Sequence, residues 1–284
     1  MPEHAELAHI GLLHHPKIPQ SQTLAAEIAE WLRERGRTVW LGSALDEQAI
    51  AERVTDFDLI IPMGGDGTTL RTARMTARHG VPILGVNLGR VGFLAELTPD
   101  NWRTKFPCLL EGRYWIEERM MLYAEFWRQG ERQQGFESLN DVVISRGELA
   151  RIVRLPTYID GGYLTTYVAD GLIVATATGS TAYALAVGGP ILPPELKNIL
   201  LVPIAPHLSL GRAIVLSQGV KVKVEVSTGH RAILTIDGQF HVELQDGDLV
   251  LVQASPHTSR FVRLQDRMYL YQTLMDRLCP IDVG

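Results

Sequence analysis

The chain has 284 residues, 46% of them hydrophobic and 21% charged, with a formal net charge of -5, enough for one large core or two smaller ones and too apolar for disorder. An acidic chain without a long Lys/Arg cluster is set apart from general nucleic-acid binders, which need a basic face to neutralise phosphate. Cys108 and Cys279 stand far apart without a CxxC partner, which fits a reducing compartment and no zinc framework.

The N-terminal MPEHAELAHIG lacks a basic stretch followed by an apolar one, so it does not read as a signal peptide. No apolar run approaches the roughly 18 residues of a membrane span, and even ILLVPIAPHL is broken by prolines. A cytoplasmic location with no membrane partner is expected. HIGLLHHP reads as a strand, with His14-His15-Pro16 as its end and no metal-ligand geometry. SQTLAAEIAEWLRERG follows as a helix, Ser21 at its start and Gly36 just past its end. Leu24, Ile28, Trp31 and Leu32 recur on one face of it. TVWLG, FDLIIPMG and VPILGVN read as further strands, separated by helical stretches at 45–54 and 68–79. Strands alternating with helices predict a parallel sheet covered on both faces.

TPDNWRTKFPCLLEGRYW, opened by Thr98 and Pro99, reads as a crossover helix. Beyond it MLYAEFW, ESLNDVVIS, RIVRLPTYIDGGYLTTYVA, VKVKVEVS, RAILTIDG and DGDLVLVQA are strand-like and punctuated by Gly-Gly, Asp-Gly and Thr-Gly turns. The charge runs EERMM and ERQQ read as solvated surface. RMYLYQTLMDRL turns helical again. The expected organisation is an α/β domain over 1–117, a mostly β domain over 118–264, and a tail, 265–284, packing back on the first.

The stretch LIIPMGGDGTTLRTA, 59–73, places glycines at the carboxyl end of a buried strand and the start of a helix, where open α/β sheets hold ligands. Gly64, Gly65 and Gly67 let a phosphate approach the main chain, and a helix N-terminus favours anions. The loop is no Walker A: it lacks G-x-x-x-x-G-K-[ST]. Cationic help must come from Mg²⁺ or from Arg71, Arg74 or Arg90. A carboxylate in a phosphate loop repels its ligand, so Asp66 needs a task, and accepting a proton from an attacking hydroxyl is one. The alternative is a plain strand-to-helix turn with Asp66 capping the helix.

GGDGT resembles the signature shared by NAD kinases, diacylglycerol-type lipid kinases and phosphofructokinases. GVNLGRVGFLAEL (85–97), WIEERMML (115–122), NDVVISRG (140–147) and DGLIVATATGSTAYALAVGGPIL (170–192) resemble, in that order, the NAD kinase family; lipid kinases of the same clan lack TGSTAY. The resemblance implies a Rossmann-like α/β domain of NAD kinase type with a mostly β C-terminal domain. It implies Mg-dependent transfer of a phosphoryl group from ATP or polyphosphate to the 2′-hydroxyl of NAD, the metal arriving with the nucleotide.

Carried residue by residue, the resemblance makes Asp66 the proton acceptor, with Gly67 beside it in the Gly64–Thr68 loop. Asn140 and Asp141 hold the acceptor ribose, an amide and a carboxylate together gripping a vicinal diol. Arg71 and Arg151 match positions near bound nucleotide, and Asp170 a contact towards the nicotinamide. Thr181, Ala182 and Tyr183 line the adenine and nicotinamide pockets, where a tyrosine supplies a stacking face. Gln239 matches a late polar contact. Asp141 and Asp170 also read as turn formers, and Tyr183 as a core aromatic. Ala175, Ala177 and Ala186 depart from family hydroxyls, and Leu208 breaks a His-Ser adjacency after His207. The resemblance further implies a homodimer or homotetramer with the β domain at the interface. A lipid or sugar kinase, and a non-catalytic dinucleotide sensor, stand as alternatives.

Overall fold

Strands and helices alternate through the first part of the computed structural model, which describes residues 7–89, 92–148, 151–268 and 273–274. They are β1 (His9–His14), α1 (Pro19–Arg33), β2 (Thr38–Ser43), α2 (Glu47–Ala51), β3 (Leu59–Gly64), α3 (Asp66–Ala77), β4 (Val86–Asn87) and α4 (Trp102–Leu110). The four strands form a parallel sheet ordered β2-β1-β3-β4. Chain order reverses between β1 and β3, and β3 delivers Gly64 to the carboxyl edge at that switch point.

Residue contacts divide the chain into two units, Met1–Glu118 with Ser259–Gly284, and Arg119–Thr258. In the first, α1 lays Leu24, Ala25, Ile28 and Leu32 against Ile10, Leu12, Leu59 and Ile61, each large side chain contributing about 1.5–3 kcal/mol on burial. Trp31, Trp102 and Phe106 close the cluster edge to face, centroids 5.4–6.0 Å apart. The helix begins earlier than its sequence suggests: Pro19 opens it and Ile18 is the cap residue, because proline's fixed φ is preset for a first turn. Ser21 lies inside, its hydroxyl donating to Met63 O at 2.9 Å and accepting from His15 N at 2.8 Å. Likewise α4 starts after Asn101, not at Thr98-Pro99; Asn101 Oδ1 accepts from Thr98 N at 2.9 Å. VPILGVN yields only the two-residue β4 and a bridging Ile83, set between Ile60 and Phe261.

The second part contains β5 (Trp115–Arg128), β6 (Glu131–Ser138), β7 (Asp141–Arg146), β8 (Val153–Ile159), β9 (Gly162–Ala169), β10 (Gly171–Thr176), the short α5 (Tyr183–Ala186), β11 (Asn198–Ile204), β12 (Ile214–Ser217), β13 (Val222–Glu225), β14 (Ala232–Ile236), β15 (Phe240–Leu244) and β16 (Leu249–Arg263). They build two sheets of six strands, β12-β11-β10-β7-β14-β15 and β6-β5-β16-β13-β8-β9. Alternate residues Val142, Ile144, Leu172, Val174, Leu234 and Ile236 of one sheet meet Leu122, Leu155, Tyr167, Val222, Val224 and Val250 of the other in a single core, the face-to-face packing of a β-sandwich. Val143, Ile173, Ala175, Leu200 and Val202, one residue out of phase, face the other way and pack on Ala184 of α5.

The predicted strand ESLNDVVIS is broken: β6 ends at Ser138 and β7 begins at Asp141, leaving Leu139 and Asn140 in a bend. EERMM is not solvated surface either, since Glu117 and Arg119 are each 2% exposed; they alternate inward along β5 with Glu118 outside. ERQQ is exposed as expected. The terminal helix expected over 267–278 lies largely outside the described residues, as do Cys279 and Arg90. Among the described residues no helix is long and apolar enough to cross a membrane.

Candidate functional site

Gly65, in extended conformation, is the cap residue of α3, so Asp66 is the first residue of the helix and not its cap. A carboxylate there complements the positive end of the helix dipole. Gly64 is buried, and an added Cβ would overlap Thr68 Oγ1; the strand can turn into the helix only without a side chain at 64. Gly65 and Gly67 are exposed, Asp66 is half-buried, and Thr68 is buried in the first turn. Arg71, one turn on, is held by Glu47 of α2 at 2.8 Å.

In the β unit a cavity of about 410 Å³ opens on the outward face of β7 and β14. Asn140 and Asp141 meet Ala182 and Tyr183 there, with Val143, Ser145, Thr235, Asp237 and Gly238 completing the lining. Tyr183 is 44% exposed, so it is no core aromatic but an accessible ring beside an amide and a carboxylate. Asp141 is 5% exposed. Burial, and then the neighbouring Asp237 carboxylate, push its carboxyl up to about 7, because a charge in a poorly hydrated place beside a like charge is costly.

The bend that presents Asn140 and Asp141 is clamped from two sides. Asp237 Oδ1 accepts from Ser138 Oγ at 2.7 Å, Asn140 N at 2.8 Å and Asp141 N at 3.2 Å, and Oδ2 from Leu139 N at 3.1 Å. Asp237 and Gly238 have φ of 49° and 65°, the two positive values of a type I′ hairpin turn. They join β14 to β15 and swing the Asp237 carboxylate onto the bend. From the other side Thr176 Oγ1 donates to Leu139 O at 2.6 Å and Thr176 N to Asn140 O at 2.9 Å. Gly179 packs so closely that an added Cβ would overlap the Asn140 carbonyl.

The other candidates lie elsewhere. Asp170 pairs with Arg146 at 3.1 Å just before β10, five residues from Ala175, the ladder partner of Asp141, or roughly 17 Å at the usual rise per strand residue. Thr181 turns its hydroxyl to Thr178 O at 3.1 Å. Ala186 is exposed at the end of α5, and Arg151 is exposed in a loop. Gln239 closes the hairpin turn through its N–H to Ile236 O. The sequence reading passed over Asp237, Thr176, Gly179, Ser145 and Thr235. Asp237 carried a usable signal, since Asp-Gly between two apolar runs is a hairpin turn, but its partners are about a hundred positions away. Among the described residues no group of three or more His, Cys, Asp or Glu could form a metal cage.

The ATP-NAD kinase N-terminal domain family matches residues 45–114 and the ATP-NAD kinase C-terminal domain family matches 139–264. An NAD kinase of Chloroflexus aurantiacus is 42% identical over 272 residues, 96% of this chain and 99% of that one. An NAD kinase of Dehalococcoides mccartyi is 39% identical over 270 residues, 95% of each. Among solved structures, an NAD kinase from Archaeoglobus fulgidus in complex with ATP is similar at TM-score 0.75 and 27% identity, covering 92% of this chain and 96% of that one. A yeast NADH kinase complexed with NADH has a TM-score of 0.80 over 98% of this chain and 89% of that one; at 24% identity it shares the fold.

Proposed function

The chain belongs to the NAD kinase family, and from that premise we propose that it transfers the γ-phosphoryl group of Mg²⁺-bound ATP, or the terminal phosphoryl of polyphosphate, to the 2′-hydroxyl of the adenosine ribose of NAD. Asp66 accepts the hydroxyl proton while the ribose 2′-oxygen bonds to the transferred phosphorus. The bond to the bridging oxygen breaks, and ADP or a shortened polyphosphate leaves with its electron pair. Mg²⁺ enters as part of the donor substrate. The Gly64–Thr68 turn gives the phosphates a main-chain surface that side chains would obstruct. Such transfers pass through a loose transition state, so alignment counts for more than base strength.

The observation that carries the reading is the cavity where Asn140, Asp141 and Tyr183 converge. An amide and a carboxylate side by side suit the two hydroxyls of a ribose, and an exposed aromatic ring suits a base. Thr181, Ala182, Ala186, Gln239, Arg71, Arg151 and Asp170 are proposed as further contacts to the nucleotides. For Arg71 and Asp170 this requires exchanging their present partners, Glu47 and Arg146. A homodimer or homotetramer joined through the β unit is part of the proposal, as is a cytoplasmic setting. It is supported by Leu208, Leu210 and Val215, apolar and exposed around β12, and light scattering of the purified protein tests it.

The first experiment incubates the purified protein with NAD, ATP and Mg²⁺ and reads NADP with an NADP-specific dehydrogenase, alongside Asp66→Asn. NADP from the wild type, with turnover in Asp66→Asn reduced much more than NAD affinity, is the expected result. Near-normal turnover in the mutant would remove Asp66 from its role. Activity on diacylglycerol or fructose 6-phosphate in place of NAD, or NAD binding without transfer from ATP or polyphosphate, would overturn the reading.

A further inference from the structure

Gly92 is buried, and a Cβ built on it would overlap Cγ and both oxygens of the Asp66 carboxylate. The main chain at 92 therefore lies close against that carboxylate. The closeness is specific to this position: at Gly89, three residues earlier, an added Cβ meets only Asn87 Oδ1 at 3.8 Å. The strand β3, which ends just before Asp66, holds the first arm of this excursion, and the excursion's two arms bond to each other. Leu88 N donates to Gly64 O at 3.1 Å, and Asn87 N to Leu97 O at 2.8 Å. Glu96 N and Leu97 N both donate to Gly85 O at 3.1 Å.

The far side is held by a buried ionic cluster in the same unit. Arg263 Nη1 donates to Leu94 O at 3.1 Å and to Glu96 Oε2 at 3.3 Å, and Arg263 Nε to Glu117 Oε2 at 2.9 Å. Glu96 Oε1 accepts from Leu264 N at 2.9 Å and Gln265 N at 2.8 Å. The side chains of Arg263, Glu96 and Glu117 are each 1% exposed. Removing one partner of such a cluster strands a buried charge, so the 94–96 segment has little freedom to retreat. A wall with a fixed back and no side chain at its point of contact lets the carboxylate stand directly against the main chain, in space that a side chain would take.

We infer that Gly92, backed by the Glu96–Arg263–Glu117 cluster, is a positioning residue that sets where the Asp66 carboxylate stands relative to the hydroxyl it deprotonates. The inference deepens the kinase reading and rests on it. A proton acceptor must lie within hydrogen-bond reach of its proton, and alignment errors near 1 Å cost about a hundredfold in rate.

The test compares wild type, Gly92→Ala, Gly89→Ala, Asp66→Asn and the Asp66→Asn/Gly92→Ala double variant for NADP formation. The expected result is that Gly92→Ala loses about a hundredfold in kcat while KM for NAD stays within about twofold, as for an interaction made in the transition state. Gly89→Ala behaves as wild type, and the double variant is no slower than Asp66→Asn, since residues acting through one another are not additive. A second cycle needs no activity: the drop in Tm caused by Gly92→Ala should vanish in an Asp66→Ala background, where the overlapping carboxylate is gone. Near-normal kcat in Gly92→Ala, additive losses in the double variant, or a Tm drop indifferent to Asp66→Ala would each overturn the inference. A wild type that forms no NADP would overturn the kinase reading, and this inference with it.

Discussion

Asp141→Asn should make the protein more stable at neutral pH while weakening its hold on NAD. The Asp141 carboxyl stands at about 7 in the folded chain against 3.8 for an ordinary aspartate, and one pKa unit corresponds to about 1.4 kcal/mol. A group whose folded pKa is raised contributes stability that is fully present below the unfolded pKa and is lost as pH rises through the folded one. Between pH 4 and pH 8 the wild type therefore loses about 4 kcal/mol at this one position. Asparagine keeps the shape without the charge. Urea unfolding of both proteins at pH 4, 6 and 8 should give similar stabilities at pH 4 and a growing advantage for Asp141→Asn above it. NAD binding runs the other way in the wild type, tightening from pH 6 to pH 8 as the carboxylate ionises and can accept from ribose hydroxyls. A stability difference that does not change with pH would refute the reasoning, because a desolvated charge must show itself in proton linkage.

Asp237→Asn should lower the pH at which Asp141 ionises, since the Asp237 charge is its second perturbing cause; the midpoint of the NAD-binding pH profile reads this. Asp237→Ala should do more, leaving Ser138 Oγ and the N–H groups of 139–141 without their shared acceptor. A rise in KM for NAD of at least about tenfold is expected, with roughly 1–3 kcal/mol of stability lost per donor left dry. Tyr167 is fully buried in the sandwich core, its hydroxyl has no hydrogen-bond partner among the described residues, and burial pushes it up to about 12. Tyr167→Phe should raise stability by about 1 kcal/mol, read as an upward shift in Tm. A fall in Tm would mean that the hydroxyl has a partner, such as an ordered water.

How much of this was legible beforehand depended on distance along the chain. The alternation of β1, α1, β2, β3 and α3, the Gly-rich turn after a buried strand and the hairpin between β8 and β9 all follow from patterns within a few residues, because helix and strand periods and turn chemistry are local. The likeness to NAD kinases came from short motifs in order, and it named Asn140 and Asp141 for a ribose and Tyr183 for a base, residues that line one cavity in the fold. Where reading failed, a distant partner had overridden local preference. Ser21, a good cap by type, serves Met63 instead. EERMM, charged enough for a surface, turns Glu117 inward to meet an arginine 146 positions away.

The sequence by itself determined the alternation of strands and helices in the first unit and the strand-rich character and glycine turns of the second, and that a carboxylate would stand in a glycine-rich turn at a sheet edge. Only the tertiary structure decided what surrounds that chemistry. Asp237 clamps a bend 97 positions before it, and Gly92 lies against Asp66 with Arg263 holding the wall behind. The physical reason is one of range. Backbone preference acts between neighbours, whereas the desolvation that raises the Asp141 carboxyl and the contact that shapes the Asp66 site arise only when packing brings remote segments together.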